Sequence, residues 1–407
     1  MSTASTTTDR TEITCADPSE RRPAPRLAAL DGLRGLACLV VLLHHTLLTV
    51  PVFSAASADP LSSRAEATPW ELALTWSPLH LLWEGAGAVW VFFVLSGFVL
   101  VRQVREPASF DWLAYYPQRL ARLYLPVFAA VALAVTLIAL FGEADHGGAA
   151  SAWMQRRAED VTVRGVVADS TLLGGAGFTA SPLWSLQWEV WFSLLLPLFV
   201  LAVRPRHAVR RPVWIGLTIP LAVLAIVGLG GVEYLTVFLV GAILAAANRP
   251  IERLVARLSR SRVSATFLWA GCALWVVVML PARWTLSGIP VVPAWMHQLL
   301  SVSAAAVVVV MALHCRPAAR LLTARVLLWS GAVSFSLYLV HEPIVVALAR
   351  VFGEDRLWIA LPIGIVVALT AAAVFQRAVE QPATTLSRWI GRTIKGRRIL
   401  TAPAAVD

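Results

Sequence analysis

Charge is scarce in this chain. Only 14% of its 407 residues are Asp, Glu, Lys or Arg, where a soluble domain carries about a quarter. Lysine is almost missing: of 34 basic residues, Lys395 is the single lysine and the rest are arginine. Cysteine is sparse too. Cys15, Cys38, Cys272 and Cys315 form no CxxC pair and no metal-ligand spacing, which excludes a disulfide framework and a zinc ribbon. No cleavable signal pattern is expected before the first apolar run, which is long enough to remain as an anchor. No repeat relates the first half to the second, which weakens an inverted-repeat transporter.

What fills the chain is apolar. Hydrophobic residues make up 58% of it and the mean hydropathy is +0.71. A crossing helix needs about 20 apolar residues. Ten stretches qualify, at about 33–53, 79–101, 122–142, 183–203, 212–230, 232–248, 265–281, 297–315, 326–349 and 357–379. The spacing therefore predicts an all-α, polytopic transmembrane helix bundle of about ten spans.

The net charge of +10 does not point to nucleic acid, because the arginines sit in short clusters between apolar runs. With the N-terminus inside, 27 of the 34 basic residues fall in inner segments. That bias recurs at every inner loop and predicts cytoplasmic N and C termini. Three regions follow: a disordered, Ser/Thr/Pro-rich tail over 1–29, a membrane domain over 30–385, and a basic cytoplasmic tail over 386–407. The outer loop 143–182 is long and ends in the run LLGGAGFTASP. Loops of that length tend to be functional or disordered.

Ionisable residues inside such spans are costly and need a reason. The first span opens LDGLRGLACLVVLLHH (30–45). Arg34 and His45 are eleven residues apart, about 16 Å of rise and about three turns, so they share a face, while His44 points roughly 80° away. Separately, Arg34 reads as a snorkelling flank residue and His45 as an interhelical hydrogen-bonding group. Arg119 and Arg122 in PQRLARLYLP (117–126) lie on one helix face and suit a phosphate, or serve only as topology signals. Glu189 stands among Trp184, Trp188 and Trp191 near the outer end of span four. An aromatic belt accounts for the tryptophans and not for the acid. His341 and Glu342 interrupt span nine just before Pro343, which reads as a site or as a kink with a locally satisfied histidine.

The ordered set of LDGLRGLACLVVLLHH, VFFVLSGFVL (91–100), RLARLYLP, LWSLQWEVWF, YLTVFLVGAIL (234–244), SFSLYLVHEP and VEQP (379–382) resembles acyltransferase family 3 over about 30–385. These are membrane O-acyltransferases that modify sugars, envelope polymers and some antibiotics. The resemblance implies an acyl-CoA donor, most often acetyl-CoA, a hydroxyl-bearing acceptor such as a carbohydrate or glycosylated molecule, and a multi-pass protein of the bacterial inner membrane. It implies no permanently bound cofactor, no metal and no nucleic acid. Arg34 and His45 match its arginine-ten-residues-histidine motif, and Arg119 and Arg122 its Arg-x-x-Arg motif. Ser96, Gly97 and Phe98 match SGF; Trp184, Ser185 and Glu189 match WSL-x-x-E; His341 matches SLYL-x-H-x-P. Trp90 stands where many relatives have Asp, and no hydrolase-like domain is expected after the last span.

On that resemblance, Arg34, Arg119 and Arg122 are expected to hold CoA phosphates, with Ser96, Trp184, Ser185 and His341 as further substrate contacts. His45 is expected to act as catalytic base, with Glu189 orienting it or bonding the acceptor. An acyl-enzyme route stays open. The acceptor is expected to arrive through the outer loop 143–182. The alternatives are a secondary transporter that uses the Arg, His and Glu groups as a proton or substrate path, and an acyl-binding sensor without turnover.

Overall fold

The computed structural model describes residues 25–61, 64–65, 67–104, 110–142, 151–203, 233–289 and 291–401. Among them every regular element is helical. The principal helices are α1 (Pro25–Leu48), α2 (Gly85–Gln103), α3 (Trp112–Phe141), α4 (Leu183–Val203), α5 (Glu233–Ala246), α6 (Arg262–Met279), α7 (Ala294–His314), α8 (Arg325–Phe352), α9 (Leu357–Phe375) and α10 (Gln381–Thr401). Eight spans among the described residues are long and apolar enough to cross a membrane, and nine if α5 and the following helix count as one bent span. The eight match eight of the ten expected stretches, and α5 covers most of a ninth, 232–248. The tenth, 212–230, lies outside the described residues.

Local chemistry moved the boundaries. The described residues are already helical from Pro25, the start of α1, five residues before the expected edge of the tail at 29/30. This helix stops at Leu48, and Pro51 starts a separate short helix, Pro51–Ala58. The stretch expected from 79 opens as a 3₁₀ turn, Pro78–Leu82. The span itself starts at Gly85, where the Glu84 carboxylate caps the Gly87 N–H at 2.9 Å. The helix α3 starts ten residues earlier than expected, at Trp112, with Asp111 accepting from the Ala114 N–H at 3.1 Å. The basic stretch after 385 continues the last span: a π-helical turn, Gln376–Glu380, links α9 to α10, and α10 packs along α3.

The axis of the bundle is α8, the most buried span. Against it lies α1, running parallel: Gly35 meets the Gly331 backbone, Cys38 Sγ donates to Ser334 O at 3.2 Å, and His45 meets His341. Gly331 in turn lies against the Asp31 carbonyl. Small residues allow this approach, which is how membrane helices gain packing without a hydrophobic drive between them. A second close pair joins α2 and α5. Gly97 touches the Phe238 carbonyl and Gly241 touches the Val94 carbonyl, with Phe93 stacked on Phe238 at 4.5 Å. By contrast α6 has no buried residue and exposes Phe267, Leu274 and Trp275, as an outer helix facing lipid would. After α5 the chain bends by 69° into Asn248–Leu258. There Ile251, Leu254, Val255 and Leu258 line one face and Arg249, Arg253 and Arg257 the other, the pattern of a helix lying along a membrane surface.

Gly97→Ala places a methyl group on the Phe238 carbonyl, so α2 and α5 must part. The expected cost is roughly 1–3 kcal/mol, read as a lower melting temperature in detergent. An unchanged melting temperature would show that the two helices do not touch there.

Candidate active site

A cleft of about 140 Å³ opens between α1, α2, α3, α4 and α8. Its polar lining is Arg34, Ser96, Arg119, Arg122, Ser185, Glu189, Ser334 and Tyr338. The axial helix α8 holds the Arg34 guanidinium: Nε donates to Ser334 Oγ and NH2 to Gly331 O, both at 3.0 Å. Asp31 stands 3.6 Å away on the half-exposed side. Arg119 donates to Glu189 at 2.6 Å and to Ser193 Oγ at 3.2 Å. Glu189 and Ser193 are one turn apart on α4, so one guanidinium bridges both.

A proline helps hold α3 against α4. Pro197 has no N–H to offer, which frees the Ser193 carbonyl four residues back. The Tyr115 hydroxyl donates to that carbonyl at 3.4 Å, and the Tyr116 hydroxyl to Leu194 O at 3.1 Å. Arg122 also faces the cleft, and it makes no hydrogen bond to the described residues. The lining itself holds three guanidiniums to one carboxylate, Glu189, with Asp31 beside Arg34 and Glu380 acting on Arg122. Such clustered guanidiniums suit a polyanion with forked acceptor groups.

Beyond the cleft along α8 lies a histidine pair. His45 Nδ1 is 2.9 Å from His341 Nε2, and His341 Nδ1 is 2.9 Å from Leu337 O. A carbonyl only accepts, so His341 carries its proton on Nδ1. Its neutral Nε2 must then accept from His45 Nδ1–H. The same logic leaves His45 Nε2 as a free lone pair. The relay ends in a base, oriented by a backbone carbonyl through a second imidazole. His44 points elsewhere, to Trp83 O at 2.9 Å.

The loop after α3 straps down beside this pair. Glu342, 2% exposed, accepts from Arg157 NH1 and from the N–H and hydroxyl of Ser181, each at 2.7 Å. Arg157 stacks over the Trp153 ring at 4.6 Å, and Trp153 lies 5.7 Å from the His45 ring. Buried Asp169 shapes the Gly-rich run by accepting the N–H groups of Gly177, Phe178 and Thr179 and the Thr179 hydroxyl. Gly177 sits at φ +105°, where a side chain would be strained.

The sequence matches the model of an acyltransferase domain over residues 27–377. The chain belongs to acyltransferase family 3. It is also 26% identical, over 417 aligned residues, to acyltransferase MdmB of Streptomyces mycarofaciens, across 93% of this chain and 95% of that protein. No solved structure matches it. As a member of this family the protein is a transferase, and its apolar helices are those of a membrane enzyme.

Within this acyltransferase, Trp184 and His341, expected as substrate contacts, lie outside the cleft lining, and Glu189 lines the cleft away from His45. Glu189 does not orient His45; it pairs with Arg119. The reason is the early start of α3, which puts Arg119 two turns inside the helix instead of at its edge. The carboxylate beside the histidines is Glu342. Trp184 packs against Tyr234 at 5.0 Å and Phe93 at 6.2 Å, outside the cleft lining. Ser96 and Ser185 line the cleft as expected residues, and His341 meets His45 instead of the cleft. In the SGF motif, Ser96 faces the cleft, Gly97 admits α5 and Phe98 is fully buried.

Sequence reasoning missed Ser334, Tyr338, Ser181 and Arg157. The spacing of Ser334, Tyr338 and His341, four and then three residues, was a legible signal of one helix face. Arg157 carried none, since its partner is 185 residues away.

Glu342→Gln removes the charge that Arg157 answers and leaves a mostly buried guanidinium uncompensated. The expected loss is about 3 kcal/mol, with faster protease cleavage within 151–182. A melting temperature and cleavage rate equal to wild type would show that the clamp does not hold the loop.

Proposed function

We propose that this enzyme moves an acyl group, acetyl in the simplest case, from acyl-CoA to a hydroxyl of a carbohydrate or glycosylated acceptor. The observation that carries this reading is the arginine-walled cleft together with the histidine pair farther along α8, where His45 Nε2 keeps its lone pair. Arg34, Arg119 and Arg122 bind the CoA phosphates, and the pantetheine arm runs along the cleft. His45 Nε2 takes the proton of the acceptor hydroxyl as its oxygen attacks the thioester carbon. Such base catalysis is typically worth roughly 10²–10⁴-fold. The C–S bond then breaks, the CoA sulfur regains the proton from His45, and an ester remains. His341 is a positioning residue, since it holds His45 Nδ1–H in place.

The sidedness follows from arginine placement. With 27 of 34 basic residues on one side, the N and C termini and the cleft mouth face the cytoplasm, where CoA is made, and the protein resides in a bacterial inner membrane. The acceptor reaches His45 from the opposite side, past the strap held by Glu342. The two substrates meet about 16 Å from the inner boundary, the rise separating His45 from Arg34.

His45→Ala is expected to lower CoA release and acyl transfer at least 100-fold while donor binding persists, and His44→Ala to act far more mildly. Wild-type turnover by His45→Ala would remove His45 from the chemistry. Arg119→Lys with Arg122→Lys keeps the charge and loses the fork, so the acetyl-CoA KM rises about tenfold or more; an unchanged KM would place the phosphates elsewhere.

In sealed vesicles of known orientation, transfer is expected with acetyl-CoA on the cytoplasmic face and acceptor on the other. Product formed only with both on the cytoplasmic face would overturn the proposed sidedness.

A further inference from the structure

Attack on a thioester turns its carbonyl oxygen into an oxyanion, and a site that stabilises that charge gains more rate than from most other devices. Neither histidine supplies this donor: His341 gives its proton to Leu337 O, and His45 gives its proton to His341. Arg34 is tied to Ser334 and Gly331, seven and ten residues before His341, about 10 and 15 Å back along the helix. Arg119 is committed to Glu189 and Ser193.

Tyr338 lines the cleft and also touches the histidine pair through His341. It is buried, and its ring centroid is 5.9 Å from that of His341, one turn onward. Its ring is braced edge-on against Phe92 at 5.8 Å. Its hydroxyl lies 2.6 Å from Ser185 Oγ, and Ser185 donates its own hydrogen to Pro182 O at 3.0 Å. Ser185 is therefore the acceptor in the pair and Tyr338 the donor. The Tyr338 hydrogen is thus held by a neutral hydroxyl, a weaker acceptor than an oxyanion. A negatively charged oxygen in reach competes for it well, since a charge-assisted bond is roughly twice as strong. Ser185 keeps its bond to Pro182 when the hydrogen leaves.

Resting on the acyl-transfer reading above, we propose that the Tyr338 hydroxyl is the catalytic donor to the thioester oxyanion. As the acceptor oxygen bonds to the carbonyl carbon and its proton passes to His45 Nε2, the carbonyl electron pair moves onto oxygen and receives the Tyr338 O–H. Collapse re-forms the C=O bond, expels the CoA sulfur with the proton from His45, and returns the tyrosine hydrogen to Ser185.

The test is calorimetric binding to the full-length protein in nanodiscs. The ligands are CoA and carboxymethyl-CoA, whose carboxylate places an anionic oxygen beside the oxyanion position, one carbon farther from sulfur. Wild type is expected to bind carboxymethyl-CoA more tightly than CoA. Tyr338→Phe keeps the ring and its packing; it is expected to lose about tenfold or more of that preference with an unchanged Kd for CoA. Ser185→Ala frees the tyrosine hydrogen and is expected to keep or raise the preference, which guards against a folding defect in the first variant. A preference unchanged in Tyr338→Phe, or lost in Ser185→Ala, overturns the role and leaves acyl transfer standing. Failure of wild type to bind CoA overturns the acyl-CoA reading itself, and this role with it.

Discussion

The close approach of α1 to α8 organises the molecule. It depends on Gly35 and Gly331, each of which lies against backbone of the facing helix. Because the two helices run parallel, residues at the same depth on each can meet: Arg34 with Ser334, Cys38 with the Ser334 carbonyl, His45 with His341. One contact therefore aligns the arginine end and the histidine end of the site along a single axis. Small residues carry this load because lipid is as apolar as the helices, so packing and hydrogen bonds must supply the association.

The remaining helices answer to that axis. The pair of α3 and α4 brings two arginines and Glu189 to one side of it, tied through Tyr115, Tyr116 and the carbonyl that Pro197 frees. The pair of α2 and α5 brings Ser96, made possible by Gly97 and Gly241. The strap over 151–182 closes the other end, where Glu342 collects three hydrogen bonds. Charge is thus sorted along α8. Clustered guanidiniums lie at the Arg34 end, a neutral imidazole relay follows, and a compensated Arg157–Glu342 pair stands beyond it.

Much of this was legible before any contact was known. The all-helical class, eight of the expected spans, the shared face of Arg34 and His45, and the different heading of His44 all follow from hydropathy and a 3.6-residue period. Both are local properties of the chain. The ordered motifs likewise sufficed for the family. Errors arose where a local rule had a competitor. Asp111 capped α3 and lengthened it at its start, which carried Arg119 inward to Glu189. Pro51 and Pro78 cut apolar stretches that hydropathy alone joins.

Composition and periodicity determined that this protein crosses a membrane as a helix bundle, and which faces of its helices carry charge. Only tertiary structure decided which charges meet. Arg157 finds Glu342 across 185 residues, and Arg119 finds Glu189 across 70. Tyr338 finds Ser185 across 153. No periodicity encodes such pairs, because they depend on the depth and rotation of two separate helices. Those in turn are set by glycines whose missing side chains matter only when another backbone lies against them.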